Sequence, residues 1–227
     1  MTDLVFEAPS PVVVPVRGGG AFPVRRVYCV GRNFAEHARE MGHDPDREPP
    51  FFFGKPADAV TTATELPYPP KTENLHHEVE LVVALGRGGA DIAVMDAPAH
   101  IFGYAIGLDL TRRDLQQAAR KAGRPWDMGK GFDRSAPIAP IVPVAAAGHP
   151  ARGAITLDVN GERRQSGDIS EMIWSVPEIV AELSRFVTLA PGDLIFTGTP
   201  AGVGPLLRGD RVSASIAGVG VLALKIV

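Results

Sequence analysis

Cysteine is nearly missing from this sequence: Cys29 is the single one among 227 residues. A lone thiol excludes an internal disulfide framework and a cysteine-based zinc cluster. It lies in the apolar run Val27-Tyr28-Cys29-Val30, which marks it as an inert core thiol. A charge excess is missing too, since 23 basic against 26 acidic residues leave a net charge of −3. That balance gives no footprint for bulk nucleic acid or for a membrane surface. No apolar run reaches the roughly 18 residues of a membrane helix. No basic stretch followed by an apolar core is visible as a secretory signal, so the expected location is the cytoplasm. Two chemical signatures are also absent. Gly54-Lys55 and Gly129-Lys130 are not followed by serine or threonine, which excludes a phosphate-binding P-loop. There is no G-x-S-x-G nucleophile elbow.

What is present is ordinary globular material, 45% hydrophobic and 22% charged. A chain of this length buries roughly 70% of the surface it exposes when unfolded. The 25 glycines and 21 prolines make about a fifth of it. They fall as punctuation between short β-rich runs, the pattern of a mixed, mostly β architecture with few helices. Residues 1–24, with Pro9, Pro11, Pro15 and Gly18-Gly19-Gly20, read as an arm before a single domain over 25–227. The loop-like stretch 145–153 does not divide that domain, because strand-like runs continue on both sides.

Strands are expected at residues 26–30, 50–53, 77–85, 103–110, 155–159, 194–197, 211–216 and 221–227. Asn160-Gly161 signals a tight hairpin, because both turn positions favour positive φ. Asn33 can cap a short helix, with Glu36 reaching back to it. Thr111 can cap a second helix running to about Gly123, with Pro125 as the stop. Ser175 can cap a third, with Pro177 in its first turn and Glu178 three residues on. That helix carries Ile179, Leu183, Phe186 and Val187 as an apolar, core-facing stripe.

The segment His76-His77-Glu78-Val79-Glu80-Leu81-Val82-Val83-Ala84-Leu85 is the most informative. Alternate strand residues share a face, so Glu78 and Glu80 point the same way. Two buried carboxylates are costly unless a cation neutralises them or one is protonated; on a solvent-facing edge they would mean little. Asp109 ends another apolar run, Gly103 to Leu110, and serves either as a functional acid or as a strand-end aspartate. Three hard carboxylates suit Mg²⁺, Mn²⁺ or Ca²⁺ better than zinc and leave positions for water or substrate. Arg112 and Arg113 oppose the dipole of the helix they open. They either pair with nearby acids or hold an anionic substrate. His37 and Glu40, three apart on the Asn33 helix, share a face. They are either a prepared general base or an ordinary exposed pair. Lys130 sits between two glycines, which either admit a ligand closely or mark a loop.

In order along the chain, Tyr28-Cys29-Val30-Gly31-Arg32-Asn33-Phe34, His37-Ala38-Arg39-Glu40, Phe53-Gly54-Lys55-Pro56, His77-Glu78-Val79-Glu80, Gly107-Leu108-Asp109-Leu110-Thr111 and Thr197-Gly198-Thr199-Pro200-Ala201-Gly202-Val203-Gly204 resemble the fumarylacetoacetate hydrolase family. The resemblance is closest to its small single-domain members acting on acylpyruvates, fumarylpyruvate above all. It implies a β-roll fold, a homodimer and a Mg²⁺ or Mn²⁺ ion on Glu78, Glu80 and Asp109. It implies that His37 and Glu40 activate water, that Lys130 acts near the substrate, and that Arg113, Gln116 and Thr199 contact substrate oxygens. The implied reaction is hydrolysis of a small 2,4-diketo acid to pyruvate and a carboxylic acid. Oxaloacetate decarboxylation, or isomerisation and decarboxylation of a ring-cleavage product, is the alternative. A binding protein that keeps the fold without the chemistry is a remote one. Phe34 departs from the tyrosine that many relatives carry, so a hydroxyl is missing there.

Overall fold

The computed structural model describes residues 4–36 and 48–227. The expected helix after Asn33, with His37 and Glu40, lies almost wholly outside them. Within them the chain is mostly β, with four α-helical segments.

The apolar run of the sequence becomes the strand Val79–Leu85, buried at all seven positions. Leu81 and Val83 face one hydrophobic cluster, while Val82 and Ala84 face another. A strand covered on both faces needs no polar alternation, which explains the continuous run. Its neighbours are Ile101–Leu108 on one side, antiparallel, and Asp193–Phe196 on the other, also antiparallel. Arg26–Gly31 pairs parallel with Asp193–Phe196 and carries Phe51–Lys55 at the sheet edge. With Val142–Pro143 beyond Ile101–Leu108 the sheet has six strands.

A second sheet of five strands contains the hairpin Ala154–Val159 and Glu162–Asp168, together with Arg211–Ile216, Gly220–Ile226 and Glu65–Leu66. The hairpin turns at Asn160 (φ 53°) and Gly161 (φ 84°), as the sequence expected. Alternation on Arg211–Ile216 is strict, with Val212, Ala214 and Ile216 inward. These residues, Ile155 and Leu157 pack with Leu81, Val83 and Ile106 in the larger core. The helix Val176–Phe186 adds Ile179, Val180 and Leu183 to it. Ser175 does begin that helix: Glu178 accepts from its backbone N–H and its hydroxyl at 2.9 and 2.7 Å. Phe186 departs from the expected stripe, because it is exposed at the last turn.

The stretch read as an arm contributes to the interior. Val13–Pro15 and Ala21–Pro23 form a two-stranded ribbon, and Val14 and Phe22 are buried in the smaller core beside Val27, Val82 and Leu194.

Two sequence expectations need correction. The strand expected over 77–85 is broken at Glu78: Leu75–His77 joins a small three-stranded sheet, and Val79–Leu85 joins the six-stranded one. Thr111 does not cap a helix. It pairs with His76 in that small sheet, and the helix starts at Arg113. The Thr111 hydroxyl is committed elsewhere, accepting from Lys130 Nζ at 2.8 Å and donating to Asp109 O at 3.1 Å.

Candidate active site

Adjacent strands deliver the three acids. Glu80 lies in Val79–Leu85, opposite Gly107. Glu78 occupies the break before it, and Asp109 follows Ile101–Leu108, its N–H donating to Glu78 O at 2.9 Å. Gly107 leaves room for the Phe196 ring, from which a Cβ there would lie 2.5 Å. Each acid offers one carboxylate oxygen, and these three atoms lie within 4.8 Å of one another. All three residues are buried.

Burying three carboxylates demands compensation. The sequence left a cation or a protonated acid as the means, and the family resemblance implied a metal; in the structure Lys130, Arg113 and Lys55 supply part of it. Lys130 Nζ donates to Glu78 Oε2 at 2.8 Å and to Asp109 Oδ2 at 2.6 Å. Arg113 donates to Glu78 Oε1. Lys55 Nζ lies 2.8 Å from Asp109 Oδ1. Both lysines are buried. Burial works against the Lys130 ammonium, but Asp109 and Glu78 outweigh it and hold its pKa above the ordinary value.

Glu80 is compensated least. Its Oε2 accepts the Gly198 N–H at 2.7 Å. Burial, then the neighbouring Asp109 and Glu78, push its pKa well above the usual carboxylate range. Asp109 Oδ1 is buried and makes no aligned hydrogen bond, despite the nearby Lys55. Hard oxygen donors, one of them without an aligned hydrogen bond and one held uncomfortably as an anion, fit a divalent cation such as Mg²⁺ or Mn²⁺.

Around this centre the fold places the other expected residues. Arg113 and Gln116 occupy the inner face of the helix Arg113–Lys121, and the Arg113 guanidinium donates to Gln116 Oε1. Lys130 ends the helix Asp127–Lys130. Thr199 follows the strand Asp193–Phe196, past Gly198 (φ 98°), where a Cβ would lie 2.7 Å from Asn33 Cβ. Arg112, the other arginine of the pair, turns away. Its guanidinium lies over the Phe132 ring at 4.3 Å.

His76 is not a ligand candidate. Its ring bonds Asn74 Oδ1 at 2.8 Å and accepts from Arg113 Nε at 3.3 Å. Burial and Arg113 lower its pKa to about 4, consistent with a neutral, accepting imidazole. Cys29 is buried and its thiol is pushed well up by burial and by Asp109, as an inert core thiol should be. Phe34 is fully buried.

Sequence reasoning missed four features. Lys55 appeared in it only as part of a motif. Gln165 is fully buried and donates to Thr199 Oγ1 at 2.7 Å; a glutamine in a polar hairpin strand gave no sign of this. Phe51, Phe53 and Trp126 form an aromatic wall with ring centroids 5.5–6.5 Å apart. Arg32 and Arg120 line the same cleft as that wall and the acids, and the cleft opens to solvent. The arrangement can bind an anion, hold a cation and stabilise negative charge that develops between them.

Known proteins resemble this chain in sequence and in fold. The sequence model of the family described as fumarylacetoacetate (FAA) hydrolase, C-terminal, matches residues 26–227. A fumarylpyruvate hydrolase from a Ralstonia species is 43% identical over 189 residues, covering 82% of this chain and 98% of its own. A mitochondrial oxaloacetate tautomerase from Mus musculus is 42% identical over 203 residues, covering 89% and 91%. The crystal structure of fumarylpyruvate hydrolase from Pseudomonas aeruginosa in complex with Mn²⁺ and pyruvate is 56% identical. It covers 99% of each chain with a TM-score of 0.97.

Proposed function

This chain belongs to the fumarylacetoacetate hydrolase family, and from that membership we propose that it is a metal-dependent hydrolase of 2,4-diketo acids. The finer reading is that it cleaves fumarylpyruvate to pyruvate and fumarate. One observation carries the proposal: three convergent buried carboxylates beside a buried, charged lysine in an open cleft. The similarity to a fumarylpyruvate hydrolase solved with Mn²⁺ and pyruvate supports it.

Glu78, Glu80 and Asp109 would hold the ion. A bound Mg²⁺ or Mn²⁺ would act as a Lewis acid on the substrate's carboxylate and 2-keto oxygens, worth several kcal/mol in the transition state. Arg113, Gln116 and Thr199 bind and orient the pyruvyl end. Gln165 Nε2–H occupies a lone pair of Thr199 Oγ1, so the threonine proton is directed to an anionic oxygen of the substrate. His37, steadied by Glu40, takes a proton from water as the oxygen adds to the 4-keto carbon. The bond between carbons 3 and 4 then breaks, and its electron pair passes into the enolate of pyruvate. Lys130 stays protonated at neutral pH and donates to the oxygen where that charge gathers. A proton at carbon 3 completes pyruvate, and the acyl carbon leaves as a carboxylate.

The oxaloacetate tautomerase relative favours a second reading, isomerisation or decarboxylation of a 2-keto acid without attack by water. The test is pyruvate release from fumaryl-, maleyl- and acetylpyruvate and from oxaloacetate, together with keto–enol conversion of oxaloacetate followed by absorbance, with Mn²⁺ or Mg²⁺ and after chelation. We expect fumarylpyruvate to be cleaved fastest, with activity lost on chelation and restored by metal. Turnover of oxaloacetate alone would install the second reading. A full rate after chelation would remove the metal from the mechanism.

A further inference from the structure

We propose that the helix Arg113–Lys121 acts as a ruler, with Arg120 at its outer end binding a second carboxylate, so that the cleft selects diketo acids whose acyl group itself ends in an acid. This rests on the hydrolase reading above, in which the inner end of the cleft takes the pyruvyl carboxylate.

The helix is unusual for a piece of a folded core. Its buried residues are Arg113 and Gln116, so the face turned toward the protein is polar. A helix that packs for stability buries an apolar stripe; this one presents hydrogen-bonding groups. Arg113, Gln116, Gln117 and Arg120 all line the cleft. Their spacing of three, four and seven is that of a single helical face. Arg113 stands at the acids, in contact with Glu78, and Arg120, seven residues on, is exposed and lines the same cleft.

Seven helical residues separate the two guanidinium-bearing positions by roughly 10 Å along the axis. A seven-carbon chain with a carboxyl at each end spans roughly 8 Å between carboxyl carbons, at about 1.5 Å per bond in zigzag. With one carboxylate at Arg113, the other falls within side-chain reach of Arg120. The wall between them is aromatic, from Phe51, Phe53 and Trp126, which suits a flat, conjugated linker.

Arg32 strengthens the basic mouth. It lines the same cleft and is partly buried. Its backbone adopts φ 58°, a left-handed conformation that residues with a side chain rarely take. Its guanidinium lies 5.3 Å from the centre of the Phe51 ring. Burial, then the charge of Arg120, lower its pKa, while Glu48 acts in the opposite sense. Both guanidinium groups line the cleft whose inner end carries the acids, and a planar guanidinium suits a carboxylate.

The deciding experiment compares Arg120→Gln with the unmodified, Mn²⁺-loaded enzyme on fumarylpyruvate and on acetylpyruvate, which lacks the distal acid. We expect kcat/KM for fumarylpyruvate to fall roughly tenfold or more, as for a lost charge-assisted hydrogen bond. Acetylpyruvate should change less than about twofold, and Arg120→Lys should recover part of the loss. Oxalate, too short to reach Arg120, should bind both proteins equally by calorimetry. Equal losses on both substrates, as a merely structural Arg120 would give, overturn the ruler. So does an unaltered fumarylpyruvate rate. An unmodified enzyme that cleaves acetylpyruvate but not fumarylpyruvate also overturns it and leaves the hydrolase reading standing. Failure to cleave any diketo acid removes the hydrolase reading itself, and the ruler with it.

Discussion

Gln165 uses every polar atom of its side chain. Nε2 donates to Thr199 Oγ1 and to Pro200 O at 2.7 and 2.8 Å, while Oε1 accepts from Val79 N at 3.1 Å and meets His77 Nδ1 at 2.9 Å. Because the amide fixes which way the Thr199 hydroxyl can donate, the two residues should act as a unit. Thr199→Val should weaken oxalate binding by roughly tenfold, and Gln165→Met should weaken it comparably. In the Thr199→Val background, Gln165→Met should then cost little more. Additive losses in calorimetry would show that Gln165 serves packing alone. At this scale the sequence was legible where chemistry was local. Glu78 and Glu80 stand out because acids two apart precede a run that is otherwise apolar. Gln165 and Lys55 were not legible, since their partners lie at least 34 and 54 positions away and nothing in their own neighbourhoods marks them.

The helices Arg113–Lys121 and Asp127–Lys130 meet at Gly129, where an added Cβ would sit 2.9 Å from Gln116 N and 3.1 Å from its Cα. Backbone cannot give way as a flexible side chain can. Gly129→Ala should therefore destabilise the fold by roughly 1–3 kcal/mol and displace Lys130, the next residue. A lowered melting temperature, with a larger fall in kcat than in substrate affinity, is the expected outcome. A variant that melts and turns over like the parent would refute the close contact. Element types were readable from periodicity: Arg211–Ile216 alternates strictly, and Val79–Leu85 is apolar throughout because both its faces are covered. Boundaries were readable where the signal was local, as at Ser175 and at Asn160-Gly161. The reading failed at Thr111, because a side chain that looks like a cap was claimed by Lys130, 19 residues away. It failed also at Glu78, where the chain passes from one sheet to another without any turn residue to announce it.

Across the whole molecule, the six-stranded sheet separates two cores and its strand ends carry the acids. Binding of a cation there should couple to global stability. At a free metal concentration 100-fold above Kd, Mg²⁺ or Mn²⁺ should add about 2.7 kcal/mol, a rise of roughly 5–10 °C in Tm for a chain of this size. Glu80→Gln should lose most of that rise. A scanning fluorimetry trace indifferent to both metal and chelator would sink the site. No described helix is long and apolar enough to cross a membrane. The mostly β class was visible in the glycine and proline punctuation, whereas the packing of Val14 and Phe22 was not. Proline-rich flanks look alike whether or not the short strands between them find a partner far along the chain.

The inner cleft is electrically balanced in the described structure. With every group ionised, the three acids Glu78, Glu80 and Asp109 equal in number the three cations Lys55, Lys130 and Arg113, whose close contacts fall on Glu78 and Asp109. A divalent ion that lodges there arrives with its two positive charges unanswered. The loaded pocket thereby becomes a basin of surplus positive potential, and a visitor bearing two negative charges restores neutrality where a singly charged one leaves half of it outstanding.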